Sequence, residues 1–248
     1  MILVRSLAFA VVFYLWSIVC GLAMTPLLLA PRRWMIKAMA LWGGVVIAML
    51  RLICGVRVEF RGLQHRPTGP ALVAAKHQCM FDTMGPLTVF PDACYVMKRE
   101  LLKIPFYGWF SLKAGMLALD RKGGAGALRK LIAESKARLA EPRQLVIFPE
   151  GHRMPPGAKG DYQPGVAGLY RELGLPCTPM ATNSGVHWPP HGILRRPGLI
   201  VYEFLEPIPP GLRRAAFMRE LETRIETAGQ RLLEADGSAP KSRSGSPL

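Results

Sequence analysis

Two residues five positions apart, His77 and Asp82, form the pair best suited to catalysis in this 248-residue sequence. A carboxylate bonded to one imidazole nitrogen fixes the tautomer and leaves the other nitrogen free as a general base. On one straight helix this spacing would turn the two side chains roughly 140° apart. We therefore expect His77 in a strand-to-helix turn and Asp82 in the first helical turn, where the dipole favours the ionised carboxylate. The alternative is a solvated loop histidine beside an unrelated capping aspartate.

A second motif, in residues 148–153, could bind an anion. It reads Phe-Pro-Glu-Gly-His-Arg and contains the candidates Glu150, Gly151 and Arg153. Glycine permits a tight turn, and arginine offers a planar fork that suits a phosphate. Taken alone, the same composition also fits an ordinary turn with a surface ion pair.

A third motif begins with two cations, Lys98 and Arg99, and continues through apolar and aromatic residues to Trp109. Cations next to such residues suit an anionic headgroup that lies beside an acyl chain. A solvated basic turn is the alternative for this segment.

Short strands and amphipathic helices alternate after Cys54, and these elements must position the three motifs. The alternation predicts an α/β fold, a largely parallel sheet flanked by helices. Ligands in such folds bind beyond the carboxyl ends of strands, where each motif is placed. The predicted strands are Val56–Phe60, Ala71–Ala75, Cys94–Met97, Met116–Leu119, Leu145–Phe148, Thr178–Ala181 and Leu199–Phe204, and the predicted helices are Ala125–Ala140 and Gly211–Leu233.

The N-terminal residues 1–54 predict a membrane anchor of two helices, followed by an α/β domain over residues 55–234 and a disordered tail over residues 235–248. No residue from Ser6 to Pro31 is charged, and this run is long enough to span a hydrocarbon core of ~30 Å. A second apolar stretch, Ala38–Leu50, would reach only about 20 Å, so we expect it to lie in one leaflet. Nearby cations should hold the domain on the cytoplasmic face of the inner membrane. The alternative is that both helices are buried protein core.

Composition narrows the function classes. Half of the residues, 50%, are hydrophobic, which makes the chain too apolar to be disordered. Its formal net charge of +15 makes it too charged for a multi-span membrane protein. These properties favour a partner with anionic lipid or phosphate, such as the lipid bilayer itself. We expect no nucleic-acid partner, because the cations are dispersed and no nucleic-acid motif is present. Five scattered cysteines predict neither a disulfide framework nor a structural zinc site.

The three motifs together resemble those of the glycerophospholipid acyltransferase family, and most of all its bacterial 1-acyl-sn-glycerol-3-phosphate acyltransferases (PlsC-like lysophosphatidic acid acyltransferases). The matching patterns are H-x4-D, K-R-E-L-x-x-I-P-x-x-G and F-P-E-G-x-R, in this order, and the resemblance runs from about Val56 to Glu206. The two N-terminal helices are similar to the family's membrane anchor. The resemblance implies that His77 and Asp82 are the catalytic pair. It also places a set of residues at the acceptor site: Glu150, Gly151, Arg153, Lys98 and Arg99.

The implied reaction transfers an acyl group from an acyl-CoA or acyl carrier protein thioester to the sn-2 hydroxyl of lysophosphatidate, which gives phosphatidate. His77 would act as general base and Asp82 would orient it; no cofactor or metal is expected. The sequence departs from the family at Cys79, where serine is usual, and at His152–Met154, where Thr-Arg-Ser is usual. Two alternatives stay open: acylation of another lysolipid, such as a lyso-ornithine lipid, and a non-catalytic membrane protein that binds anionic lipid.

Overall fold

Seven strands and seven α-helices occur in residues 1–121 and 123–238, the part of the chain that the computed structural model describes. The strands are β1 (Val56–Arg61), β2 (Ala71–Ala75), β3 (Ala93–Lys98), β4 (Leu117–Leu119), β5 (Gln144–Ile147), β6 (Cys177–Thr182) and β7 (Gly198–Phe204). The helices are α1 (Ile2–Met24), α2 (Arg32–Met49), α3 (Tyr107–Lys113), α4 (Gly124–Leu139), α5 (Gly165–Leu173), α6 (Ser184–His187) and α7 (Arg214–Ala235).

The strands form one sheet in the order β1-β7-β6-β2-β5-β3-β4. Every neighbouring pair is parallel except β6 and β7, which are antiparallel. All seven predicted strands are present, and the predicted largely parallel sheet is confirmed. The central strands β2, β5 and β6 are buried along their whole length, because helices cover both faces of the sheet.

Two of the five helices that follow the anchor were predicted from the sequence. The predicted helix Ala125–Ala140 corresponds to α4, and the predicted helix Gly211–Leu233 corresponds to α7, which begins three residues later. The other three, α3, α5 and α6, are nine residues long or shorter. An apolar stripe barely repeats over so short a length, and α5 also contains two glycines, so its periodicity gave no helix prediction.

The second anchor helix is longer than the sequence predicted. Helix α2 begins directly after Pro31 and continues through a π-helical turn to Cys54, rather than extending only from Ala38 to Leu50. Its 23 residues reach about 34 Å, and the cations at its start are exposed at Arg33 and Lys37 and half-buried at Arg32. The segments Ile2–Leu28 and Arg32–Cys54 are therefore both long and apolar enough to cross a membrane, by length and composition.

The anchor and the α/β domain share one hydrophobic core. Phe9 and Phe13 of α1 are buried against Trp188, with ring centroids 5.6 and 6.3 Å away. The Arg32 guanidinium of α2 pairs with Asp92 at 2.6 Å. The predicted anchor and the predicted domain are therefore packed together across the boundary at residue 54. Most residues of α1 are nevertheless exposed and most residues of α2 are half-buried. Because only 17% of each apolar segment is buried, they are not core helices either.

The predicted disordered tail included residues 235–238, which the structure describes at the end of helix α7 and just after it. Helix α7 includes Ala235, and the Asp236 carboxylate contacts His187 Nε2 at 3.0 Å, which holds the end of α7 against the domain. Residues 239–248 lie outside the part of the chain that the structure describes.

We expect Phe9→Ala to destabilise the whole protein, although Phe9 lies in the anchor. Emptying this buried site should lower the free energy of unfolding by about 3–5 kcal/mol, because the ring fills space between α1 and Trp188. Thermal unfolding in detergent measures the change. The control is Val11→Ala on the same helix, whose side chain is 59% exposed and should shift the melting temperature little. Equal melting temperatures for the two variants would show that the anchor folds apart from the domain.

Candidate active site

Adjacent parallel strands bring the three sequence motifs to one edge of the sheet. His77 follows β2, residues 148–153 follow β5, and Lys98 ends β3. Strand β5 lies between β2 and β3 and is parallel to both, so the carboxyl ends of the three strands point the same way. The three motifs therefore lie at the same edge of the sheet, where ligands bind in folds of this kind.

The predicted His77–Asp82 pair is formed. His77 Nδ1 lies 3.0 Å from Asp82 Oδ2, with His77 in the turn after β2 and Asp82 in the 3₁₀ helix Met80–Thr83. An ionised carboxylate only accepts hydrogen bonds, so Nδ1 carries the proton and Nε2 keeps its lone pair. The His77 ring stacks on Phe148 at 4.1 Å between centroids, and 12% of its side chain is exposed. This arrangement suits a general base.

The Asp82 carboxylate is fully buried and surrounded by donors. Burial alone would raise its pKa, but the contact with the His77 ring, the Cys79 N–H and the Ser184 hydroxyl outweigh burial and hold the pKa below its ordinary value. Asp82 therefore stays ionised at neutral pH. Besides His77, its partners are the N–H of Gln78 at 2.6 Å, the N–H of Cys79 at 2.8 Å, the hydroxyl of Ser184 at 2.5 Å and the hydroxyl of Tyr202 at 3.1 Å.

Cys79, at the position where the family usually has serine, is one more neighbour of this carboxylate. Its Sγ lies 3.5 Å from Asp82 Oδ1, and its side chain is fully buried. Burial and the Asp82 charge raise the pKa of the Cys79 thiol well above its ordinary value. The neutral thiol therefore serves as a weak donor in place of a hydroxyl.

The motif after β5 holds the backbone of His77 in place. Glu150 Oε2 accepts a hydrogen bond from the His77 N–H at 3.0 Å, and the Met154 N–H donates to the His77 carbonyl at 2.8 Å. Gly151 makes this turn with φ of +72°, a backbone conformation that L side chains rarely adopt. His77 is therefore fixed on both sides by the loop that carries the second motif.

Glu150 lies deeper than the resemblance implied. Its side chain is fully buried and faces Lys76 Nζ at 2.7 Å as well as the His77 backbone. Burial raises the pKa of Glu150, although the Lys76 ammonium opposes the shift. The carboxylate thus lies behind the His77–Asp82 pair and is not at the surface of the domain. Its position makes it a support for His77 instead.

Lys76 is the centre of a buried charge network under the site. Its Nζ contacts Glu150, Glu226 Oε1 of α7 at 2.6 Å and the Ala158 carbonyl at 3.2 Å. Glu226 also accepts a hydrogen bond from the Tyr162 hydroxyl at 3.0 Å. Because Lys76 directly precedes His77, this network ties the turn after β2 to helix α7.

The predicted acceptor cations are at the surface. Arg153 is exposed and lies near Tyr107 of α3. Burial raises the pKa of Tyr107, and the positive charge of the Arg153 guanidinium opposes this increase. Lys98 and Arg99 are exposed and form ion pairs, Lys98 with Glu100 at 3.6 Å and Arg99 with Asp120 at 3.5 Å. Roles for these three cations in headgroup binding remain predictions.

Sequence reasoning missed two donors to Asp82. Ser184 could have been found, because it lies just beyond β6, which is parallel to and paired with β2. Tyr202 could not have been identified as a donor from the sequence, since a tyrosine inside a predicted strand is normally a packing residue. No group of three or more His, Cys, Asp or Glu side chains that could hold a metal ion occurs in residues 1–121 and 123–238.

Comparison with known proteins agrees with this geometry. A family profile described as Acyltransferase matches residues 57–183, which include the turn after β2, β3, β5 and the loop after β6. The chain belongs to the Acyltransferase family. The resemblance seen in the sequence motifs is thereby confirmed at the level of the family.

Named members of this family include several similar proteins. The 1-acyl-sn-glycerol-3-phosphate acyltransferase of Pseudomonas aeruginosa is 36% identical over 64% of this chain and 62% of its own length. The mouse 1-acyl-sn-glycerol-3-phosphate acyltransferase alpha is 32% identical over 54% of this chain and 48% of its own length. The chain thus matches about half to three fifths of the length of these curated relatives.

A solved structure shows the same fold over nearly the whole chain. The crystal structure of the 1-acyl-sn-glycerophosphate acyltransferase PlsC from Thermotoga maritima aligns with a TM-score of 0.78. The alignment covers 99% of this chain and 100% of that chain, at 22% sequence identity. The N-terminal helices and the sheet are therefore arranged alike in the two proteins.

We expect Lys76→Met to destabilise this family member strongly. Removing the ammonium leaves the Glu150 and Glu226 carboxylates facing each other with Glu150 fully buried, which should cost about 3–5 kcal/mol of unfolding free energy. Denaturant titration in detergent measures the loss. Lys159→Met is the matched control, because exposed Lys159 pairs with Glu222, which lies on α7 like Glu226, and its loss should change the free energy of unfolding little. A loss for Lys76→Met no larger than this control would show that the network is dispensable.

Proposed function

We propose that this protein transfers an acyl group from an acyl thioester to the sn-2 hydroxyl of lysophosphatidate. The observation that carries the proposal is the His77–Asp82 pair, whose Nε2 is free while Nδ1 is held by an ionised, buried carboxylate. The similar proteins from Pseudomonas aeruginosa and mouse support the proposal, since both are named 1-acyl-sn-glycerol-3-phosphate acyltransferases. The thioester comes from acyl-CoA or from acyl carrier protein, and no cofactor takes part.

In the proposed mechanism, His77 Nε2 removes the hydroxyl proton as the hydroxyl oxygen attacks the thioester carbonyl carbon. Asp82 stabilises the imidazolium that forms, because its charge lies 3.0 Å from Nδ1. The tetrahedral intermediate then expels the thiolate, the carbon–sulfur bond breaks, and the thiolate takes the proton from His77. No acyl-enzyme is formed, so the acceptor and the thioester must occupy the site together.

The proposed location is the cytoplasmic face of the inner membrane, with the anchor in one leaflet. The domain contacts α1 both at Phe9 and at Gly21, against which the Phe106 ring packs. These contacts are separated along α1 by 12 residues, or about 18 Å. If α1 crossed the bilayer perpendicularly, the domain would have to enter the hydrocarbon alongside it. A helix that lies along the membrane plane avoids this cost.

We therefore expect the full-length protein to stay with membranes in high salt and in alkaline carbonate. Apolar insertion of α1 and α2 resists both treatments, whereas a purely electrostatic contact contributes ~1 kcal/mol per cation and is screened by salt. Fractionation followed by immunoblotting measures retention. Release by salt alone would contradict apolar anchoring.

We expect His77→Ala and Asp82→Asn each to reduce turnover by about 10²–10⁴-fold, the usual contribution of general-base catalysis. The assay uses purified protein, an acyl-CoA or acyl carrier protein thioester, and lysophosphatidate, with product detected by mass spectrometry. His191→Ala, which changes an exposed histidine away from the pair, should keep wild-type turnover. The assignment fails if His77→Ala retains a third of the activity while its melting temperature is unchanged.

The same assay separates the alternatives. Competition among lysophosphatidate, lyso-ornithine lipid and lysophospholipids with larger headgroups identifies the preferred acceptor. A folded wild-type protein that binds anionic lipid but turns over none of these acceptors with either thioester would be a binding protein, and the proposed reaction would be wrong.

We expect Arg153→Ala to raise the KM for lysophosphatidate about 10–150-fold, the effect of losing one charge-assisted hydrogen bond to phosphate. The KM for the acyl thioester should change little, because the residue is proposed to contact the acceptor. Arg171→Ala is the control, since Arg171 is an exposed arginine on α5. A rise in the thioester KM alone would assign Arg153 to the donor instead.

A further inference from the structure

A second apolar and basic surface lies outside the anchor, on and just before helix α3. We call it the α3 surface and define it by Lys103, Ile104, Trp109, Leu112 and Lys113. Its three apolar side chains are 47%, 48% and 57% exposed in chain order. Trp109 and Leu112 are three residues apart and share one helical face. Residues 101–119 contain the two lysines and no acidic residue.

The α3 surface is continuous with the anchor. Phe106 adopts φ of +59° and ψ of −57° in a γ-turn, closed by the Tyr107 N–H and the Pro105 carbonyl at 2.6 Å. This turn directs the Phe106 ring against Gly21 of α1, where an added Cβ would lie only 3.0 Å from the ring. The Trp109 ring packs edge-to-face on Phe106 at 5.4 Å between centroids. Trp109 is therefore connected to α1 through the Phe106 ring, which contacts both.

We propose that the α3 surface is a second membrane-binding site, which inserts Ile104, Trp109 and Leu112 among the lipids of an anionic bilayer. Tryptophan favours the level of the headgroups, where its apolar ring and its polar N–H are both accommodated. The two lysines complement anionic headgroups, and their aliphatic stems can lie along apolar surface.

A bilayer fits this surface better than a protein partner does. The neighbouring part of α1 is itself apolar and exposed, with Ile18 at 54% and Leu22 at 62%. A protein partner would have to cover these anchor residues as well, whereas a membrane contacts both surfaces in one plane. Together the anchor and the α3 surface would hold the molecule in one orientation on the lipid.

That orientation would determine the route by which a lysolipid reaches His77, and this part of the inference rests on the proposed function. Arg153 lies near Tyr107, at the start of α3, so the proposed acceptor cation borders the inserted surface. A lysolipid could then pass from the bilayer to His77 without leaving an apolar environment. The binding test below does not depend on turnover, so the two proposals can fail separately.

The test measures whether Trp109 contacts lipid. Full-length protein is bound to vesicles of phosphatidylcholine with or without phosphatidylglycerol, in which acyl chains carry bromine near the headgroup and quench nearby tryptophan fluorescence. The share of quenching due to Trp109 is the difference between wild type and Trp109→Phe. Trp34→Phe is the positive control, because Trp34 is a 50% exposed residue of the anchor. Both variants are conservative, and unchanged melting temperatures confirm their folding.

A negative control comes from the opposite side of the sheet. Leu212, 38% exposed, bonds through its N–H to Tyr170, which belongs to the core on the sheet face away from the anchor. Leu212→Trp in the Trp109→Phe background adds a tryptophan that aqueous iodide should quench and brominated lipid should not.

The expected result is quenching of Trp109 by brominated lipid at least half as strong as that of Trp34, and stronger when phosphatidylglycerol is present. Protection of Trp109 from aqueous iodide should accompany it. If Trp109 behaves like the tryptophan placed at position 212, the α3 surface does not enter the bilayer and the proposal is overturned. Protection from iodide without lipid quenching would point to a protein partner or a second copy, and would equally overturn it.

Discussion

A fully buried, ionised carboxylate imposes the main constraint on this structure. Asp82 lies under the carboxyl edge of the sheet, where losing water would be costly unless hydrogen-bond donors replaced it. The donors come from three distant parts of the chain: the turn after β2, Ser184 in α6 and Tyr202 in β7. The fold must bring all three together before Asp82 can hold His77. The one antiparallel pair in the sheet, β6 with β7, is what places Tyr202 close to Ser184.

A second charge network reinforces the same turn from below. Lys76 links the Glu150 and Glu226 carboxylates, and Glu150 also accepts the His77 backbone N–H. The side chain and the backbone of His77 are thus held by different carboxylates, with Asp82 on one side and Glu150 on the other. Glu150, the acidic residue of the second motif, therefore contributes to the site through the backbone of His77, although its own side chain is fully buried.

The anchor is part of the same folded unit. Aromatic side chains of α1 pack on Trp188, which in turn stacks on Phe81, the neighbour of Asp82, at 5.4 Å. A continuous path of packed rings therefore runs from α1 to the residue that precedes Asp82. Because α1 also meets α3 through Phe106, both apolar N-terminal contacts reach the domain at the elements around the site.

The sequence by itself determined the seven strands, the apolar N-terminal helices and the position of each motif just after a strand, because local patterns suffice for these. It also identified His77 and Asp82 as a pair. Only the tertiary structure decided the burial of Glu150, the donors Ser184 and Tyr202, and the union of anchor and domain. These features depend on contacts between residues far apart in the chain. Local composition and spacing do not predict which distant side chains will be in contact.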